Sequence, residues 1–189
     1  MDRVARALSV LFNPMVALTL WAAAVIALHP AWWGAAALVW LLLVALPGLA
    51  LAAGLRLGVW SDADVSDPRQ RRAFVPLAAA CAVALAGRAL LFPFPAVLRF
   101  AATAIAAWLC LTALASTVWK ISMHVGSTVG ILFLSGVALG WLVALALAWA
   151  PFAVAWARLR LRRHTPGQVV AGAAAALAAV GVALLVAAP

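Results

Sequence analysis

Residues 123–157 read MHVGSTVGILFLSGVALGWLVALALAWAPFAVAWA, an apolar run with Lys120 and His124 at one end and Arg158-Leu159-Arg160-Leu161-Arg162-Arg163-His164 at the other. About 33 residues separate His124 from Arg158. As a single helix rising about 1.5 Å per residue, the run would far exceed the ~30 Å of a bilayer core. Two short helices fit better, about Met123–Leu139 and about Leu142–Ala157, with a turn near Gly140-Trp141. Two crossings return the chain to its starting side, so His124 and His164 are expected at one common membrane face.

The rest of the chain calls for the same solvent. It is 69% hydrophobic and 9% charged, with a mean hydropathy of +1.19. A water-soluble domain lacks enough polar residues at that composition to cover its outside. Only helices or closed barrels span lipid, and long Ala/Leu/Val runs without short alternating strands favour helices. Arg3 and Arg6 before an apolar stretch imitate a signal peptide, but no small-residue cleavage site stands out and further spans follow. The expectation is an all-α, polytopic transmembrane helical bundle of about six to seven spans, a single integral membrane domain over residues 1–189.

The spans read as about Leu8–Leu28, Trp32–Leu55 with a kink at Pro47, Phe74–Leu91, Ala96–Val118, the hairpin pair, and Gln168–Ala187. Between the second and third lies the most polar stretch, Ser61 to Arg72. It reads as a loop, or as a short surface helix capped by Ser66 or Asp67 with Pro68 at its first position. The N-terminus, this stretch, Lys120–His124 and Arg158–His164 then share one side, and the positive-inside rule makes that side cytoplasmic. Gly126-x-x-x-Gly130 and Gly136-x-x-x-Gly140 have the spacing of close helix packing within the chain. Cys81 and Cys110 read as small buried hydrophobes rather than a disulfide or metal pair.

The net charge is +9, from 13 basic and 4 acidic residues. The arginines cluster at helix ends and form no solvated basic face, so membrane lipids, above all a phosphorylated lipid, are the expected partners, and nucleic acid is not. Ionisable groups at membrane depth are costly and mark function. A phosphate monoester needs charge stabilisation, a nucleophile and a proton donor for its leaving oxygen. Arginine offers a planar fork of donors, and imidazoles can serve as nucleophile and acid. Ser122 and backbone N–H groups at a helix start can cradle oxygens.

These residues also carry a resemblance. Arg158, five residues, His164, three residues and Gln168 resemble the third signature of the type 2 phosphatidic acid phosphatase superfamily, Ser-Arg-x5-His-x3-Asp. Ser122-Met123-His124 is similar to the second, Pro-Ser-Gly-His. Arg69, Arg71 and Arg72 before Pro76 match the first, Lys-x6-Arg-Pro, more loosely. The likeness covers residues 62–172 as a phosphatase-like core and leaves the first two spans outside. It implies a phosphatase of lipid phosphates with His164 as the nucleophile, passing through a phosphohistidine, and His124 as the general acid. Arg158, Ser122 and one or more of Arg69, Arg71 and Arg72 would bind phosphate. That family needs neither a metal ion nor another cofactor.

The departures are specific. Gln168 replaces the aspartate that orients the nucleophile, and an amide cannot stabilise an imidazolium by charge. Met123 replaces a glycine, Ile121 a proline and Ala157 a serine. Val65 takes the lysine's place if Arg72 is the matching arginine, and Lys120 would supply the missing charge. Asp62, Asp64 or Asp67 could stand in for the orienting acid. Two rival readings follow. The substitutions also suit a non-catalytic lipid-binding protein on the same scaffold. Asp62-x-Asp64-x-x-Asp67 suits a Mg²⁺-dependent prenyltransferase, although no second acidic cluster follows Asp67.

Overall fold

A computed structural model describes all residues, 1–189, and contains helices without strands. α1 (Asp2–Leu11) and α2 (Pro14–Leu28) replace the single first span expected, and they meet at a bend of 51°. The break is local chemistry. The Asn13 side chain accepts the Met15 N–H at 3.0 Å as an N-cap, and Pro14 takes the first helical position. α3 (Trp33–Trp40) and α4 (Leu46–Arg56) join through a π-turn at Leu41–Ala45 into one rod of 27 residues, Pro30–Arg56. Pro47 has no N–H to give the Leu43 carbonyl, so the expected kink takes this form.

α5 (Pro68–Leu91) is continuous with the polar stretch. Asp67 caps it, accepting the Arg69 N–H at 2.7 Å, so the surface helix and the third span are one element. α6 (Ala96–Ala115) is the central helix and the most buried of the long apolar helices, whereas the rod Pro30–Arg56 is peripheral. The hairpin is present. α7 (Met123–Leu139) ends at Gly140, whose φ of +99° is open to glycine at little cost, and α8 (Trp141–Leu147) turns back. α9 (Ala150–Arg160) follows a short break, because Pro151 cannot donate to the Leu147 carbonyl. α10 (Pro166–Ala187) closes the bundle.

Five helices are long and apolar enough to cross a membrane, or six when the bent α1–α2 pair is taken as one span, and α7 is a shorter apolar helix. The chain thus fits a multi-pass membrane protein. Cys81 and Cys110 are free thiols. Cys81 is half-buried, but Cys110 lies exposed on α6, against the expectation of burial for both.

The start of α7 is clamped to the start of α10. The Ser122 N–H donates to the Gln168 carbonyl at 3.0 Å. A Cβ at Gly172 would collide with the Ser122 carbonyl oxygen, and one at Gly126 would lie 2.9 Å from the Gly172 carbonyl oxygen and 2.6 Å from Trp108 Nε1. Lipid gives helices no hydrophobic reason to associate, so such backbone contact between small residues holds the pair. Gly130, the partner of Gly126 in the sequence spacing, faces open space. Gly172→Ala is therefore expected to lower stability by about 1–3 kcal/mol through overpacking, whereas Gly130→Ala should be neutral or slightly stabilising. Thermal midpoints of the detergent-solubilised variants check this, and equal midpoints would dismiss the clamp.

Candidate active site

Four polar turns meet at one end of the bundle. Arg158 lies in the last turn of α9, 3% exposed. The chain then reverses. Arg162 adopts a left-handed φ of +52°, and the Arg163 N–H bonds back to the Arg158 carbonyl at 3.0 Å. This tight closure delivers His164, which is 8% exposed, next to the head of α10. His124, on the first turn of α7, is 6% exposed. The hairpin has therefore brought both imidazoles to a common end, as the apolar run predicts.

Asp64 bridges the group. Its Oδ2 lies 2.9 Å from Arg158 Nη2, and its Oδ1 lies 3.8 Å from His124 Nε2. Arg71 is buried in the first turn of α5 and donates to the Ile121 carbonyl at 2.7 Å and to Ser116 Oγ at 3.4 Å. Asp64, Arg71, Lys120, His124, Arg158 and His164 line one hollow of about 70 Å³. A single water needs roughly 10–15 Å³ on that measure, so a group of several heavy atoms fits.

Gln168 explains itself locally. Thr165 caps α10, and the Gln168 side chain returns to the Thr165 N–H at 3.1 Å, completing a capping box. The same Oε1 lies 3.2 Å from His164 Nδ1. An oxygen that accepts from a backbone N–H is an acceptor here as well, so Nδ1 carries the proton. Nε2 is left as the lone-pair nitrogen of the ring.

The electrostatics follow from burial and from the three cations. Burial, then Arg158 and Lys120, push His164 down to about 3 and keep the ring neutral. Burial, then Arg71 and Arg158, lower Lys120. Burial raises the Asp64 carboxyl, but Arg158 and His124 outweigh it and hold it below the ordinary carboxylate value.

Not every expected residue arrives. Arg69 is exposed, and Arg72 donates to the Ser116 carbonyl at 3.3 Å, capping the end of α6. Ser122 is fully buried and does not line the hollow, its Oγ accepting the Val125 N–H at 3.4 Å as the cap of α7. Asp62 staples its own turn by accepting the Asp64 N–H at 2.9 Å, and Asp67 caps α5. The three loop carboxylates therefore do not converge as a diphosphate–metal site requires, and no group of three or more His, Cys, Asp or Glu is placed to hold a metal ion. Asp64 alone reaches the site, and it meets His124 and Arg158 rather than His164. Asn13 and Met15 of the α1–α2 elbow also line the hollow. Asn13-Pro14, a cap followed by a first-turn proline, was the available signal, hidden inside an apolar stretch.

The His164 shift has a signed consequence. Its folded value lies below the ordinary 6.5, so the unfolded chain takes up the proton first. The stability it contributes is complete above about 6.5 and is lost as pH falls toward about 3. His164→Gln should thus lose less stability than wild type between neutral pH and the acid limb in thermal melts. Equal losses would refute the buried neutral ring. No family model, curated protein or solved structure matches the chain.

Proposed function

We propose that this chain is an integral membrane phosphatase of lipid phosphates, hydrolysing a phosphomonoester or diphosphate of a lipid such as phosphatidic acid or a polyprenyl phosphate. The observation that carries the reading is the convergence of two buried imidazoles with Arg71, Arg158 and Lys120 around one small hollow. An apolar cavity of about 90 Å³ adjoins it, and the two share Pro14, Met15, Phe74 and Met123 in their walls. A phosphate head in the first and a hydrocarbon tail in the second suit one amphiphilic substrate.

The chemistry balances with the residues present. Nε2 of His164 attacks phosphorus and forms the N–P bond as the bond to the leaving oxygen breaks. His124, protonated in the substrate complex, gives its proton to that alkoxide. Water then attacks phosphorus, His124 takes a water proton, and the N–P bond breaks to free phosphate and His164. Arg71, Arg158 and Lys120 balance the charge on the peripheral oxygens. Gln168 fixes the His164 tautomer by hydrogen bonding alone. The positive-inside rule would put the polar end of the bundle at the cytoplasmic face.

The resemblance also changes register. With Arg71 rather than Arg72 in the hollow, the lysine position of the first signature falls seven residues earlier, on Asp64. A carboxylate where a cation is expected favours a second reading, in which the scaffold binds a lipid phosphate without turning it over. Phosphate release from a panel of lipid phosphates separates the two. His164→Ala is expected to lower release to background, and His124→Ala to lower it by roughly 10²–10⁴-fold. Release should persist in EDTA. Undiminished release by His164→Ala would sink the mechanism, and a wild type that binds lipid phosphates yet releases nothing would select the second reading.

A further inference from the structure

We propose that Asp64 is an internal occupant of the phosphate position, paired with Arg158 at rest and displaced when the substrate's phosphate arrives. This rests on the phosphatase-site reading and adds a determinant of its affinity. Asp64 Oδ2 accepts from Arg158 Nη2 at 2.9 Å and its Oδ1 lies 3.8 Å from His124 Nε2, the two groups that an incoming phosphate also has to meet. A carboxylate and a phosphate cannot both hold them, because like charges at such range repel.

The pair is also incomplete. Asp64 is the sole hydrogen-bond partner of the Arg158 side chain, and Arg158 Nε is buried with none. A phosphate brings more acceptor oxygens than a carboxylate and so offers the guanidinium a better match. Asp64 is presented by a tensioned turn. Asp62 holds the backbone N–H groups of Asp64 and Ser66 at 2.9 Å and 3.2 Å. Val65, beside Asp64, is buried at a φ of +45°, which disfavours a β-branched residue. A strained turn that delivers one carboxylate to one buried cation is suited to letting go.

The test uses the full-length protein in detergent micelles, with inorganic phosphate and dodecyl phosphate as probes. Both carry the dianionic head, while dodecyl phosphate adds a tail for the apolar cavity and should act at lower concentration. Asp64→Asn is expected to gain thermal protection at roughly tenfold lower concentration of either probe than wild type. In the wild type, saturating probe should speed hydrogen exchange at the Asp64 and Ser66 amides as the turn lets go. An asparagine variant needing as much probe as wild type, or more, overturns the proposal. So does unchanged exchange at those amides while the probe protects the fold, a readout that stands even if the variant does not fold. If neither probe protects either protein, the phosphate-site reading itself fails.

Discussion

The polar end of this molecule is organised by one constraint: the guanidinium of Arg158 is buried inside an apolar bundle and must be balanced there. A buried charge without a partner is strongly destabilising, and arginine cannot shed its proton to escape. The chain answers with Asp64, 94 residues away in sequence. To bring that carboxylate in, the Ser61–Asp67 turn folds over the hollow, and Val65 accepts a left-handed backbone. The same ion pair draws α9, α7 and the head of α5 to one place. Arg158 also adds to the burial that keeps His164 neutral and weakens Lys120 as a cation.

A second layer fixes positions rather than charges. The contact of Ser122 with Gly172, together with the bond from the Ser122 N–H to the Gln168 carbonyl, welds the first turn of α7 to that of α10. His124 rides on one of these turns, and His164 sits at the mouth of the other. Gln168 serves twice, capping α10 and setting the His164 tautomer. A glutamine at this position therefore has a structural reason of its own. The cost is that no negative charge lies beside His164. The carboxylate of this site lies across the hollow, on His124.

The N-terminal elbow joins the polar and apolar hollows. Asn13 and Met15 form part of the polar wall, and Met15 and Leu18 line the adjoining apolar cavity with Leu43 of the π-turn. Pro14 and Pro47 each create a local departure from regular α-helix, and each departure borders a cavity. The two N-terminal spans thus complete the wall of the site.

What could be read along the chain was whatever depends on local periodicity and solvent. The apolar runs demanded a helical bundle in lipid, and the length between His124 and Arg158 demanded a hairpin turning at Gly140. Ser66 or Asp67 before Pro68 offered a helix start, and the position of His124 and His164 beside basic residues at the ends of apolar runs singled out the imidazoles that meet. Tertiary structure alone decided which of several equivalent neighbours would face inward. Arg71 enters where Arg69 and Arg72 turn away, and Asp64 enters where Asp62 and Asp67 are spent on caps. Linear spacing cannot separate residues one or two positions apart at a helix start, because their direction is set by how the helix is rotated against its neighbours. For α5 that rotation is fixed by its packing on α6, on α4 and on the π-turn, and by the buried charge that Arg71 carries into the hollow.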